Sequence, residues 1–183
     1  KSSIICSWEM VTKYNFKTHP YAHQKEALTV SWDKQSFALF MEMGTGKTKV
    51  LLDNLGTLRC QNLINGALII APKSVYTVWY HTEIPKHLNV EYEMLLWKST
   101  LREAKLRDFF EKPSTKLKIF VMNVEAFSSD KGSFWAEEFC KRHINMIAVD
   151  ESTCVKNYSA KRTKNIIKLR KYSNYRRLLS GFP

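Results

Sequence analysis

Phe37-Ala38-Leu39-Phe40-Met41-Glu42-Met43-Gly44-Thr45-Gly46-Lys47-Thr48 is the stretch that decides the fold. The apolar run Phe37–Met41 reads as a strand buried on both faces. A short glycine-bearing loop follows, and from Gly46 to Leu58 the pattern predicts a helix. Strand, glycine loop and helix in that order are the setting a phosphate-binding loop requires. Gly44 and Gly46 let the backbone turn tightly and aim N–H groups at phosphate oxygens. The helix N-terminus adds partial positive charge. Lys47 can reach the β- and γ-phosphates of a bound nucleotide, and the Thr48 hydroxyl can hold Mg²⁺. The first glycine of the G-x-x-x-x-G-K-T pattern is replaced here by Met41.

On either side of this stretch the same alternation repeats. Further strands are predicted at Ala67–Ala71, Met94–Trp97, Lys118–Met122, Met146–Val149 and Leu178–Ser180. Helices are predicted at Ala22–Ser31, Tyr76–His87, Leu101–Phe110, Phe134–Arg142 and Ala160–Arg170. The strand runs are almost continuously apolar, as in strands buried on both faces of a parallel sheet. The fold expected is therefore α/β, an open and mainly parallel sheet with helices on both faces. Ligands of such sheets bind beyond the carboxyl ends of the strands. One of those ends is acidic: Met146–Val149 runs into Asp150-Glu151-Ser152-Thr153. A carboxylate there is costly unless it meets a cation. Asp150 is placed to bind Mg²⁺, directly or through water, and Glu151 can accept a proton from an attacking water.

Composition bounds the alternatives. The chain has 183 residues, enough for one domain with a hydrophobic core, with 44% hydrophobic and 25% charged residues. No apolar run approaches the roughly 20 residues of a membrane span, and the N-terminal apolar run is too short for a signal peptide. Residue 1 is Lys, so the numbering can begin inside a longer gene product. Cys6, Cys60, Cys140 and Cys154 form no C-x-x-C pair, which argues against zinc. They read as free, buried thiols of a reducing compartment, cytoplasmic, nuclear or nucleoid. The net charge is +12, and no acidic residue occurs from Ser152 to Pro183. That tract carries Lys156, Lys161, Arg162, Lys164, Lys168, Arg170, Lys171, Arg176 and Arg177. It suits a polyanion, or else a solvated face whose acidic partners lie elsewhere in the fold.

Six ordered segments resemble the superfamily 2 helicases and translocases, in particular the SWI/SNF-like branch. Gln24, in His19-Pro20-Tyr21-Ala22-His23-Gln24, resembles the adenine-reading Q motif. Met41 to Thr48 looks like motif I. Ala67 to Val75, with Trp79 and Glu83, is similar to motif Ia. Val121-Met122-Asn123-Val124-Glu125 resembles motif Ib. Asp150-Glu151-Ser152-Thr153 with Lys156-Asn157 looks like motif II, and Leu179-Ser180-Gly181-Phe182-Pro183 like motif III. Motif II reads DEST where the branch has DEAH or DEGH, and Phe182 stands where Thr is usual.

The resemblance implies a single RecA-like P-loop NTPase domain over 1–183, with a leader at 1–18. It would be the first motor half of a nucleic-acid-dependent ATPase. ATP and Mg²⁺ would be held by Gln24, Met43, Gly44, Thr45, Gly46, Lys47, Thr48 and Asp150, with Glu151 as base. Pro72, Lys73, Ser74, Asn123, Glu125, Lys156 and Asn157 would face nucleic acid, and Ser180 and Gly181 would couple the two sites. Motifs IV to VI, and with them the arginine finger, belong to a second RecA-like domain. The partner expected is DNA, duplex or single-stranded. An RNA helicase, or a nucleotide-dependent binding module with no motor, are the alternatives. Ser74 also reads as a helix N-cap. Trp79 reads as core beside Val75, Val78 and Ile84 rather than a stacking platform. The histidines read as ordinary surface or core residues.

Overall fold

The computed structural model describes residues 9–150 and 159–181. Six strands form one sheet: β1 (Ser36–Phe40), β2 (Gly66–Ala71), β3 (Tyr92–Leu96), β4 (Leu117–Asn123), β5 (Asn145–Val149) and β6 (Tyr175–Ser180). Their order across the sheet is β1-β6-β5-β2-β4-β3, and every neighbouring pair is parallel. All six predicted strands are present, and the open parallel sheet is the one expected. β2 lies inside the sheet with all six of its residues buried. That is why Gly66–Ala71 carries no polar alternation.

The helices are α1 (Ala22–Ser31), α2 (Lys47–Cys60), α3 (Tyr76–Val78), α4 (Ile84–His87), α5 (Glu103–Glu111), α6 (Asp130–Arg142) and α7 (Lys161–Lys168). They cover both faces of the sheet. Along β2 the side chains alternate: Ala67, Ile69 and Ala71 join one core, Leu68 and Ile70 the other. The first core holds Leu28 of α1, Val50, Leu51, Leu55 and Leu58 of α2, and Ile84 of α4. The second is aromatic, with Phe120 of β4 and Trp135 and Phe139 of α6 packed edge to face around Phe110 of α5. Each such pair adds roughly 1 kcal/mol beyond area burial.

Three sequence expectations are corrected. The helix predicted over Tyr76–His87 is not uniform: a π-helical turn, Trp79–Glu83, separates α3 from α4. Val78 on that segment is exposed, while Trp79 and Ile84 are core. Helical period alone cannot locate a π turn, and past one the facing positions shift. Among the cysteines described, Cys140 is buried and free as expected, but Cys60 is exposed at the end of α2. Cys6 and Cys154 lie outside the described residues.

Residues 9–18 pack against the rest of the fold. Tyr14 is buried, and its hydroxyl accepts from Asn89 N at 2.8 Å. Its ring lies against Gly56 of α2, where a Cβ would overlap it. Thr18 and His87 share a 2.8 Å hydrogen bond, and Lys17 donates to Pro85 O.

Candidate active site

Apart from Gln24 on α1, the predicted site residues that fall within the described chain lie at or just beyond the carboxyl ends of neighbouring strands. β1 leads into the Met41–Gly46 loop, β6 ends at Ser180, and β5 ends at Asp150. Next along the same rim come Pro72, Lys73 and Ser74 after β2, and Asn123 closing β4. The phosphate-loop end and the Lys73 end are thus adjoining halves of one edge.

The loop is held in shape by its own contacts. Gly44 and Gly46 have φ of +80 and +84 degrees, the left-handed region that only glycine enters without strain. Glu42 O gathers the loop by accepting from Thr45 Oγ1 at 2.7 Å and from Lys47 Nζ at 3.0 Å. Lys47 Nζ also donates to Met41 O at 2.9 Å. Met43 is exposed at the tip, and Thr48 stands in the first turn of α2. Gly181 comes back against the loop: a Cβ there would lie 3.3 Å from Met43 Cγ. Met41 N donates to Ser180 O, so the end of β6 is tied directly to the loop's first residue.

Gln24 braces the loop. It is 4% exposed at the start of α1, where its Oε1 accepts from Tyr21 N at 3.0 Å. Its Nε2 donates to Thr45 O at 3.0 Å. His23 Nε2 lies 3.0 Å from the same carbonyl, so one histidine read as ordinary surface is also part of the brace.

Asp150 carries a structured carboxylate. Its Oδ2 accepts from Trp79 Nε1 at 2.8 Å, and its N–H donates to Ile70 O at 2.8 Å. Trp79 is core, as read from the sequence, yet it also touches the site. An indole N–H on a buried ring needs an acceptor, and that was the available signal. Glu151, Lys156 and Asn157 lie outside the described residues. Thr48 and Asp150 offer hydroxyl and carboxylate oxygens, the hard donors that suit Mg²⁺, which takes few protein ligands beside phosphate and water.

Among the residues assigned to nucleic acid, Lys73, Ser74 and Glu125 are exposed. Ser74 does not cap α3: the N-cap position is Val75, with no side-chain hydrogen bond. Asn123 Oδ1 accepts from Ala126 N at 2.8 Å, capping the short 3₁₀ turn Val124–Ser128. The basic tract is partly internal. Arg177 is 1% exposed, with Nε on Asn54 Oδ1 and Nη2 on Ser31 O, both at 2.8 Å. Lys161 pairs with Asp130 and Lys168 with Glu137, the acidic partners that a solvated face requires.

Beneath the site, Lys49 and Asp53 form a buried ion pair at 2.6 Å, with Lys49 over the Phe16 ring. Burial pushes the Asp53 carboxyl up to about 6, against the opposing pull of Lys49.

The SNF2-related domain family model matches residues 23–183, which is most of the chain. The chain belongs to the SNF2-related domain family. It is 27% identical over 149 residues to the Arabidopsis thaliana protein CHROMATIN REMODELING 25, and 27% identical over 152 residues to the ATP-dependent helicase FUN30 of Saccharomyces cerevisiae. These matches cover 78% and 82% of this chain but only 16% and 13% of those proteins. The Sulfolobus solfataricus SWI2/SNF2 ATPase core in complex with dsDNA has the same fold, with a TM-score of 0.70 and 21% identity over 93% of this SNF2-related chain and 33% of that one. The UvsW helicase of bacteriophage T4 gives a TM-score of 0.62 at 14% identity, over 90% of this chain and 53% of that one. No helix among the described residues is long and apolar enough to cross a membrane.

Proposed function

We propose that this domain is the ATP-binding half of a DNA translocase motor. The observation that carries it is the meeting of the Lys47 loop, Asp150 and the Ser180–Gly181 turn on one rim, beside an exposed Lys73–Ser74 loop. Loop N–H groups and Lys47 bind the terminal phosphates of ATP, after Lys47 lets go of Met41 O and Glu42 O. Thr48 and Asp150 hold Mg²⁺, which when bound supplies charge neutralisation at the phosphates. Glu151 takes the proton of the attacking water. Lys73, Ser74, Asn123, Glu125, Lys156 and Asn157 track the nucleic-acid backbone, and Ser180 and Gly181 couple that contact to the loop. Double-stranded DNA, named in the Sulfolobus complex, is the polymer we assign here. A second RecA-like domain of the same protein closes over the γ-phosphate.

The test separates binding from turnover. This chain should bind MgATP in a calorimeter, and Lys47→Ala should abolish that binding. With saturating DNA it should release phosphate about 10³-fold or more slowly than a longer protein holding both domains, because the proposed second RecA-like domain supplies the arginine finger and closure. Equal rates would replace the split site with a self-contained ATPase.

A further inference from the structure

Trp79 is 2% exposed, so its indole N–H needs an acceptor. The acceptor it has is a side-chain carboxyl: Nε1–H donates to Asp150 Oδ2 at 2.8 Å. A charge-assisted bond to a carboxylate is short and directional. Trp79 is also the first residue of the π-helical turn Trp79–Glu83. Such turns are rare and occur often at functional sites. The segment carrying it leaves β2 through Pro72, Lys73 and Ser74. Asp150 is therefore tied to β2 and its continuation twice, once by its main chain on Ile70 O and once by its side chain on Trp79.

We propose that Trp79 is a positioning residue that fixes the Asp150 carboxylate for its cation and links it to the Lys73–Ser74 loop. The proposal rests on the assignment of Asp150 as a magnesium ligand. An oxygen bonded to an immobile indole cannot rotate away, so the carboxylate is ordered before the cation arrives. Partners of this kind usually matter about 10- to 100-fold in metal affinity. A polyanion that shifts Lys73 and Ser74 would move α3, and with it the indole on which Asp150 leans. Packing alone would be served as well by an aromatic ring with no N–H.

The test removes the N–H and keeps the ring. Incorporation of 3-benzothienylalanine at position 79 puts sulfur in place of the N–H, and Trp79→Phe is a simpler companion. Affinities for ADP are measured by calorimetry on the full chain, with Mg²⁺ and in EDTA, beside the unfolding midpoint. The wild-type chain should prefer MgADP. The benzothienyl variant should lose about tenfold of that preference, while metal-free ADP affinity and the unfolding midpoint stay unchanged. The Trp79 indole N–H resonance should move when MgADP is added, and again with duplex DNA. If the benzothienyl chain keeps the wild-type preference, Trp79 is packing only. If the wild type shows no preference and Asp150→Asn changes nothing, the metal assignment of Asp150 falls, and the Trp79 proposal with it.

Discussion

A Cβ on Gly46 would overlap the amide nitrogen of Gln24. Gln24 therefore presses on the turn that starts α2, while holding Thr45 O at 3.0 Å. Gly46→Ala meets two obstacles, this overlap and a φ of +84 degrees. The left-handed cost alone is roughly 1–2 kcal/mol, so MgATP affinity should fall about tenfold or more. Adding Gln24→Ala should not restore it, because the backbone strain remains and a residue that braces the loop and is assigned to ATP is lost as well. Full recovery in calorimetry would reduce the effect to the overlap.

Glu151→Gln in the longer protein should leave MgATP binding intact and lower hydrolysis by about 10²-fold or more, since an amide cannot act as the base. A phosphate-release assay decides it. Turnover at the wild-type rate would assign the base elsewhere.

Lys73 and Arg177 should behave differently although both are cationic. Lys73 is exposed on the rim, so Lys73→Ala should weaken duplex binding for every sequence and reduce the salt slope by about one. Arg177 is buried on neutral acceptors. Arg177→Ala should cost on the order of 3 kcal/mol of stability, from lost charged hydrogen bonds and a cavity. A fall in the salt slope for Arg177→Ala at unchanged stability would put Arg177 on the nucleic acid.

Asp53 makes stability depend on pH in the direction opposite to most carboxylates. Its folded value, about 6, lies above the ordinary 3.8, so the native state binds the proton more tightly. The stability it contributes is full below about pH 4 and is lost as pH rises through about 6. The advantage of wild type over Asp53→Asn should therefore shrink between those values in denaturant titrations. An advantage that grew with pH would mean the Lys49 ion pair outweighs burial.

The chemistry written in short local patterns was the legible part. Gly44, Gly46 and Lys47 stand between an apolar run and a helix, and that order reports its own geometry. The six apolar runs became six parallel strands, and in β2, β4 and β5 burial on both faces leaves a continuous one-dimensional trace, whereas β1 and β3 at the edges are only partly buried. Contacts between distant segments left none. Nothing local ties Gln24 to Thr45 O, or Trp79 to Asp150, since the first pair meets only when α1 packs against α2 and the second only when β2 and β5 lie side by side. The basic tract misled in part for the same reason. Charge is visible in sequence but burial is not, and Arg177 spends its guanidinium inside the fold.

β1 has one neighbour, β6, and its outer edge is unpaired within the described sheet. Phe40 on it is 55% exposed. Open edges of this sort accept a foreign strand, and proteins commonly blunt them with charge, proline or a cover. Ser36–Phe40 carries neither charge nor proline. When this chain is handled by itself at high concentration, self-association should begin at the strand that feeds the phosphate loop. Nucleotide binding and solubility would then fail together, for a reason unrelated to the site's chemistry.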